Sequence, residues 1–324
     1  MAIVNQCVTS IEDKNMIHFI VNEHSRSGKG VRVWRQIEAL LKKEEEPYRI
    51  WRTEYVGHAT KLAKEISNLD EKEIKLVVVG GDGTINEVVN GIADFGKIRF
   101  GIIPTGSGND CARGLGISGK PEELLLRILE SNGTQSIDLG KVSWKENDRI
   151  NSRVFMISSG VGMDALVCKK AMTSRIKKTL NRIGLGKLTY LIITVQSILS
   201  MQTANTRVII DRERKTLYKN HIFSAVMNFR AEGGGVPMAP AADAKDGLLS
   251  VCTIHGIPKL CTFFVLPFLV TAKHERFHGV KIENCRTCEF VMDTPLVLHT
   301  DGEYCGEVTQ VEFECLPNRL KLLI

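Results

Sequence analysis

No stretch of this 324-residue chain offers the ~18–20 consecutive apolar residues that a membrane-spanning helix needs. The two closest are Leu188–Met201, broken by Thr194, Gln196, Ser197 and Ser200, and Ile257–Ala272, broken by Pro258, Lys259 and Pro267. Both are expected to be buried helices. No secretory apolar core precedes the cysteines, which number nine, odd and scattered rather than framed. A disulfide scaffold is therefore excluded, and a reducing cytoplasm is the expected setting. Internal repeats and low-complexity tracts are also missing, and Lys42–Glu46 reads as a solvated helix end. Excess charge is small: 43 Lys and Arg against 37 Asp and Glu give +6. That balance does not call for nucleic acid, while it suits a polyanionic ligand or an acidic membrane surface.

What is present is ordinary for a globular protein: 43% hydrophobic and 25% charged residues exclude extended disorder, collagen and coiled coil. The length fits two domains and a core that needs no staples. The first 140 residues alternate two rhythms. Short apolar runs at Met16–Val21, Tyr48–Trp51, Leu76–Val79 and Phe100–Ile103 read as strands. Between and after them, apolar residues recur at helical spacing: Val33/Trp34/Ile37/Leu41, Ala59/Leu62/Ala63/Ile66, Ile85/Val88/Val89/Ile92 and, after Pro121, Leu124/Leu125/Ile128. Alternation of this kind predicts crossover units on a mostly parallel, doubly wound sheet. The second half changes character. Around a helical stretch near 165–200 lie short β-type runs at Val154–Ile157, Arg207–Ile210, Ile222–Met227, Leu248–Ile254, Cys288–Met292, Leu296–His299 and Val311–Cys315. Many short strands predict an antiparallel sandwich. The boundary is expected near Asp138–Trp144, giving an α/β nucleotide-binding domain over 1–138, a β-sandwich substrate domain over 139–316, and a segment 317–324 returning to the first domain. The active site is expected in the cleft between them.

The sharpest signal is Gly80-Gly81-Asp82-Gly83-Thr84, directly after the buried strand and before a helix. Glycines there let the backbone approach a phosphate chain, and turn amides supply donors. Asp82 would repel phosphate directly, so its place implies a Mg²⁺ between carboxylate and phosphate. A second loop, Pro104-Thr105-Gly106-Ser107-Gly108-Asn109-Asp110, follows the next strand, and two such loops side by side form a cleft. Ser107 could donate to phosphate, while Asn109 and Asp110 could hold a nucleotide hydroxyl or a metal-bound water. Two lookalikes fall away. Ser27-Gly28-Lys29-Gly30 lacks the first glycine and the hydroxyl residue of a P-loop. Gly160-Val161-Gly162-Met163-Asp164-Ala165 lacks the acidic residue about twenty positions on that a dinucleotide site needs.

Together with Asp243-Ala244-Lys245-Asp246-Gly247-Leu248, Lys273-His274 and His299-Thr300-Asp301-Gly302-Glu303, these loops run in one order over nearly the whole chain. In that order the sequence resembles the diacylglycerol kinase catalytic-domain superfamily, specifically its bacterial lipid-kinase branch, related to sphingosine and ceramide kinases. The resemblance implies an ATP-dependent kinase. ATP would lie along Asn22, Ser25 and Gly28, against Thr53 of Thr53-Glu54-Tyr55-Val56-Gly57-His58-Ala59. Gly80, Gly81, Asp82, Gly83, Thr84, Asn86, Glu87, Ser107 and Asn109 would complete the cradle. It implies a catalytic Mg²⁺ organised by Asp82, Asp110 and Asp138, and a second, structural ion at Asp243, Asp246 and Leu248, the first and last through carbonyl oxygens. Asp301 and Glu303 would supply the general base. The first loop departs from the family's Asn-Pro opening, with Glu23 in place of the proline.

Two weaker constellations remain. His274, His278, Cys285 and Cys288 have spacing that suggests zinc, but Cys285 and Cys288 are expected on opposite faces of one strand. Lys169, Lys170, Arg175, Lys177, Lys178, Arg182 and Lys187 precede the apolar run to Met201. They suit an anionic headgroup surface or a plain solvated helix. The reading is thus a cytoplasmic lipid kinase of phospholipid biosynthesis, peripheral at the inner membrane face, with diacylglycerol the default acceptor. Alternatives are a kinase of a sphingoid base, ceramide or phosphatidylglycerol, or a non-catalytic nucleotide or lipid binder. No nucleic acid is expected, and homodimerisation is left open.

Overall fold

The computed structural model describes residues 16–131, 134–173 and 186–323. The N-terminal part is built on β1 (Ile17–Val21), β2 (Tyr48–Arg52), β3 (Ile74–Gly80) and β4 (Ile98–Pro104), all parallel, in the order β2-β1-β3-β4. All five residues of β1 are buried, as are six of the seven in β3, which is why the sequence shows them as unbroken apolar runs. Helices α1 (Lys29–Lys43), α2 (His58–Ser67), α3 (Asp82–Gly91), the short α4 (Asp110–Gly114) and α5 (Pro121–Glu130) follow the strands. One face of the sheet packs α1 and α5 through Val33, Trp34, Ile37, Leu125 and Ile128. The other packs α2 and α3 through Ala59, Ile66, Ile85 and Val88. This is the doubly wound arrangement that the alternation predicts.

The remainder comprises β5 (Thr134–Glu146), β6 (Arg149–Phe155), β7 (Ser158–Gly162), α6 (Met163–Thr173), α7 (Gly186–Ser200), β8 (Ala204–Ile210), β9 (Arg214–His221), β10 (Phe223–Met227), β11 (Leu249–Ile254), α8 (Thr262–Val270), β12 (Val280–Cys285), β13 (Thr287–Thr300) and β14 (Glu303–Leu323). Every pairing among these strands is antiparallel. Phe155, Val161, Phe290, Leu298 and Phe313 meet in the core of the β-sandwich. Phe290 and Phe313 cross edge to face at 5.7 Å. Burying such a ring contributes roughly 1.5–3 kcal/mol each.

The two expected strands at 288–292 and 296–299 are one strand, β13, with a register shift between Val291 and Leu296. Pro295 sits inside that irregularity, where the missing N–H costs no ladder bond. Likewise β14 is one long strand. It pairs with β13 and β5, shifts register between Leu316 and Leu320, and then lies parallel to β4 at Lys321 and Leu322. The two parts of the chain therefore share one continuous sheet.

The cysteine pair corrects an expectation. Cys285 closes β12 and Cys288 stands in β13, so they belong to two strands, and both point into the sandwich core. His274 is buried elsewhere, bonded to the Met238 carbonyl at 3.0 Å. These residues do not assemble a zinc site. Of the basic cluster, Arg175, Lys177, Lys178 and Arg182 lie outside the described residues. Among the described residues no helix is long and apolar enough to cross a membrane. Ile257–Ala272 does contain a helix, α8, but only one of its sides is buried.

Candidate active site

Three loops meet at the carboxyl ends of β1, β3 and β4. Asn22 donates through Nδ2 to Thr84 Oγ1 (2.8 Å), and Ser25 and Thr105 share a hydroxyl hydrogen bond (2.7 Å), so the first loop is tied to both glycine loops. Those two loops touch backbone to backbone. A Cβ on Gly106 would stand 2.9 Å from the Gly81 Cα, and one on Gly81 would stand 3.1 Å from the Gly106 Cα. Only glycine permits that approach, which brings the start of α3 against the start of α4. Gly28, at φ +94°, turns the first loop into α1. Thr53 is buried behind the first loop with its hydroxyl toward the Val21 carbonyl, and Ser107 is exposed at the rim.

The approach fixes two carboxylates. Asp82 Oδ1 accepts the Cys111 amide (3.0 Å), and Asp110 Oδ2 accepts the Gly234 amide (2.8 Å) while Oδ1 pairs with Arg113. A Cβ on Gly108 would lie 3.2 Å from Asp82 Oδ2 and 3.4 Å from Asp110 Oδ2, so both carboxylates face one small space. Burial pushes the Asp82 carboxyl above its usual range; the amides of Asn109–Cys111 oppose the rise, and Asp110 adds to it. Asn109, in left-handed backbone at φ +51°, keeps a buried Oδ1 with no protein partner. Asp82 Oδ2 and Asp110 Oδ2, the latter also accepting the Gly234 amide, border one gap and could hold a Mg²⁺ there.

From the β-sandwich side comes the Asp301-Gly302-Glu303 turn. Asp301, at φ +46°, has both oxygens occupied: Oδ2 accepts from Asn86 Nδ2 (2.7 Å) and the Met156 amide (3.0 Å), Oδ1 from the amides of Ile157 (2.9 Å) and Ser158 (3.0 Å). Burial raises its carboxyl, and those three backbone amides, with Asn86, hold the rise down. Four donors use the four lone-pair positions of a carboxylate. Asp301 therefore clamps α3 to the β6–β7 connection and has no lone pair left to take a proton from substrate. Glu303 is different. Its Oε2 pairs with Arg153 (2.8 Å), while Oε1 would be 3.5 Å from a Cβ on Gly83, facing the Gly80–Thr84 loop. Arg153 also donates to Asn86 Oδ1 (2.7 Å); burial disfavours its charge, but pairing with Glu303 wins and its pKa is raised. No sequence signal marked Arg153, one of two arginines in β6.

Two expected site residues lie elsewhere. Glu87 caps α2, its two oxygens accepting the amides of Gly57 (2.8 Å) and Ala59 (3.2 Å). Asp138, expected with Asp82 and Asp110, is fully buried, and Asn228 Nδ2 bridges its carbonyl to that of Met156. Asp138 Oδ2 accepts the Gly247 amide and its Oδ1 the Asn318 amide, both at 2.7 Å. It belongs with the Asp243–Leu248 loop, where Asp246 Oδ1 accepts the Leu248 amide (2.9 Å). Burial, then Asp243 and Asp138, push the Asp246 carboxyl up.

A cluster the motifs did not reveal lies beside the Asp301 turn: Asp164, Glu232 and His299, with one ligand-type atom from each within 4.8 Å of the others. His299 Nε2 meets Asp164 Oδ2 at 3.1 Å, and the Gly302 amide donates to His299 Nδ1 at 3.2 Å. Because Nδ1 accepts, Nε2 carries the proton and donates to Asp164, which removes it as a metal ligand. Gly160 leaves room for the pair, since a Cβ there would lie 2.3 Å from Asp164 Oδ2. Asp164 stood in the discarded Gly160–Ala165 motif; Glu232 had no signal.

Burial raises the Glu232 carboxyl from 4.5 to about 7. Folded Glu232 thus keeps a proton that the unfolded chain releases between those values, so stability falls as pH rises through that window. Glu232→Gln is expected to flatten the decline in melting temperature between about pH 5 and 8, read by thermal denaturation. An unchanged slope would remove Glu232 as its source.

Comparison with known proteins places this geometry. The family model described as "Diacylglycerol kinase catalytic domain" matches residues 16–142, and "YegS C-terminal NAD kinase beta sandwich-like domain" matches 157–324. A Bacillus subtilis (strain 168) protein named "Putative lipid kinase YtlR" is 30% identical over 307 residues, covering 94% of this chain and 98% of its own. A Staphylococcus aureus (strain JH9) protein named diacylglycerol kinase is 27% identical over 274 residues, 84% of this chain and 81% of its own. A crystal structure from Bacillus anthracis str. Sterne superposes with a TM-score of 0.73 at 20% identity, covering 96% of this chain and 97% of that one. At that identity the likeness speaks to fold alone.

Proposed function

This chain belongs to the lipid-kinase family that joins a diacylglycerol kinase catalytic domain to a YegS-type β-sandwich, and from that premise we propose that it transfers the γ-phosphoryl group of Mg-ATP to a lipid hydroxyl. Diacylglycerol is the acceptor and phosphatidic acid the product. The observation that carries the reading is the pair Asp82 and Asp110 facing one gap between two abutting glycine loops, with Glu303 opposite Gly83.

The phosphates of ATP lie across the amides of Gly81–Thr84 and Gly106–Asn109, reached by the Asn22–Gly28 loop, and Ser107 closes the rim. Mg²⁺ at Asp82 and Asp110 would offset the charge that develops on the transferring phosphoryl group. Positioning does most of the remaining work in such a reaction. Glu303 accepts the hydroxyl proton through Oε1 while Arg153 holds its other oxygen; Asp301 and Asn86 fix the turn and the helix relative to each other. The acceptor's polar end lies toward Asp164, His299 and Glu232, where a glycerol hydroxyl finds both donor and acceptor atoms. At the Asp243–Leu248 loop, Asp246 lies near Asp243 and Asp138, both of which push its carboxyl up, and this suits a structural divalent ion on Asp246 and the Asp243 and Leu248 carbonyls. We place the division between the nucleotide and lipid domains within β5 near Asp138–Leu139, with 317–324 serving the first domain again.

The test is transfer of labelled phosphate from Mg-ATP to a lipid panel in mixed micelles. Labelled phosphatidic acid is expected, and Glu303→Gln is expected to lower kcat by about 10²- to 10⁴-fold with melting temperature unchanged. Transfer to another lipid would keep the mechanism and change the acceptor. Undiminished transfer in Glu303→Gln would remove the proton-acceptor assignment. No transfer to any lipid, with Mg-ATP binding intact, would make the protein a binder.

A further inference from the structure

Helix α8 is apolar at every position from Phe263 to Val270. A helix of that composition is stable in water only when covered all round. Among the described residues one side alone is covered, by packing of Val265 and Leu269 with Met163, Ile198, Met201, Met227 and Met238. The outer side stands free: Phe264 is 72% exposed, Phe268 40% and Val270 65%, with Leu260 at 52% just before the helix. Leu260, Phe264 and Phe268 recur every fourth residue and form one ridge. Leu199, 57% exposed at the end of α7, adjoins it, since Lys259 Nζ donates to the Leu199 carbonyl at 3.1 Å. Single exposed apolar side chains are normal, but a contiguous group marks a contact surface.

We infer that this ridge is the surface by which the protein enters a bilayer: α8 lies in the interfacial layer of an anionic phospholipid membrane, with Leu260, Phe264, Phe268 and Val270 among the acyl chains. The inference rests on the lipid-kinase reading and deepens it by naming the face that meets the lipid. Charge selects a bilayer over a second copy of the chain. Lys259 and Lys273, both exposed, flank the helix, and no Asp or Glu stands between Asp246 and Glu275. Self-docking about a two-fold axis would oppose lysine to lysine, whereas acidic headgroups neutralise them. Continuity gives a second reason. The covered side of α8 shares its packing with Met163, next to Asp164 in the cleft. Methionines are unbranched and polarizable, so this cluster yields to an acyl chain passing from the ridge toward the acceptor end of the cleft.

The experiment uses the full chain with sucrose-loaded vesicles of phosphatidylcholine containing phosphatidylglycerol, without nucleotide, so that binding is read independently of catalysis. Wild type is expected to co-sediment, and Phe264→Asp/Phe268→Asp to lose about tenfold or more in partitioning. Phe264 faces water and Phe268 is partly exposed, its ring edge-on to Phe277 at 4.5 Å, so melting temperature checks that the fold is retained, and Phe264→Asp alone is expected to lose binding in the same direction. Ile150→Asp, which removes an exposed side chain in the β6 hairpin, is expected to bind as wild type. Lys259→Glu/Lys273→Glu is expected to weaken binding to the anionic vesicles alone. In a second measurement, Phe264→Trp is expected to show emission quenched by brominated lipid. If transfer to a soluble short-chain acceptor persists in the Asp double variant while vesicle binding is lost, both the docking face and the kinase reading stand. Vesicle binding unchanged by the Asp pair, or a wild-type dimer that the pair converts to monomer without affecting vesicles, overturns the inference. Vesicle binding lost with no transfer by wild type to any lipid leaves the docking face and removes the kinase.

Discussion

Asp82→Asn is expected to lower phosphoryl transfer by about 10³-fold or more while leaving the fold intact. The substitution is isosteric, and the amide oxygen can still accept the Cys111 amide that Asp82 Oδ1 accepts. What it removes is the charge facing the gap beside Gly108. In the free protein that charge is held at a cost, because burial and the neighbouring Asp110 push the Asp82 carboxyl up. The melting temperature of the variant should therefore match or exceed that of wild type, the usual trade between an active site and stability. The signature is a split: equal or higher Tm alone, no added stabilisation by Mg-ATP, and no transfer. Retained transfer would take Asp82 out of the metal site.

Asp138→Ala should do the reverse. Its carboxylate is fully buried and accepts the amides of Gly247 and Asn318, which belong to two separate stretches of chain. Truncation takes the carboxylate from both N–H groups, which belong to part-buried hydrogen bonds, at ~1–3 kcal/mol each. A loss of about 3–5 kcal/mol is expected, lowering Tm by roughly 5–10 °C. At a temperature where the variant is folded, kcat should stay near that of wild type. Had Asp138 organised the catalytic ion, as the sequence suggests, kcat would fall as far as in Asp82→Asn. Titration calorimetry with Mg-ATP and a thermal melt separate the two outcomes.

The α/β half was legible because its physics is local. A strand buried on both faces must be apolar throughout, as Leu76–Val79 is, and a loop that meets phosphate must be glycine-rich, as at Gly80–Gly83. The sandwich was less so. Strand β9, with most of its residues exposed, reads Arg-Lys-Thr-Leu-Tyr-Lys-Asn-His and carries no alternation; its pairing with β8 decides its conformation. Single residues were hardest. Arg153 and Glu232 reach the site only through tertiary contacts, and Asp164 was hidden in a motif that matched the wrong cofactor. Asp138 and Glu87 show the converse. Both stand where a family pattern marks them, and the side-chain geometry gives both to backbone amides. A motif fixes where a residue is in the chain; which donors reach it is a property of the folded neighbourhood.

The parallel pairing of Lys321 and Leu322 with Arg99 and Phe100 has a bearing on how the protein is made. During synthesis β4 leaves the ribosome more than two hundred residues before its partner strand exists. Until then the nucleotide half carries an unpaired sheet edge, the kind of surface that chaperones hold and proteases find. A transcript broken or a chain clipped ahead of Lys321 yields a product with every phosphate-loop residue present and an unfinished sheet beneath them.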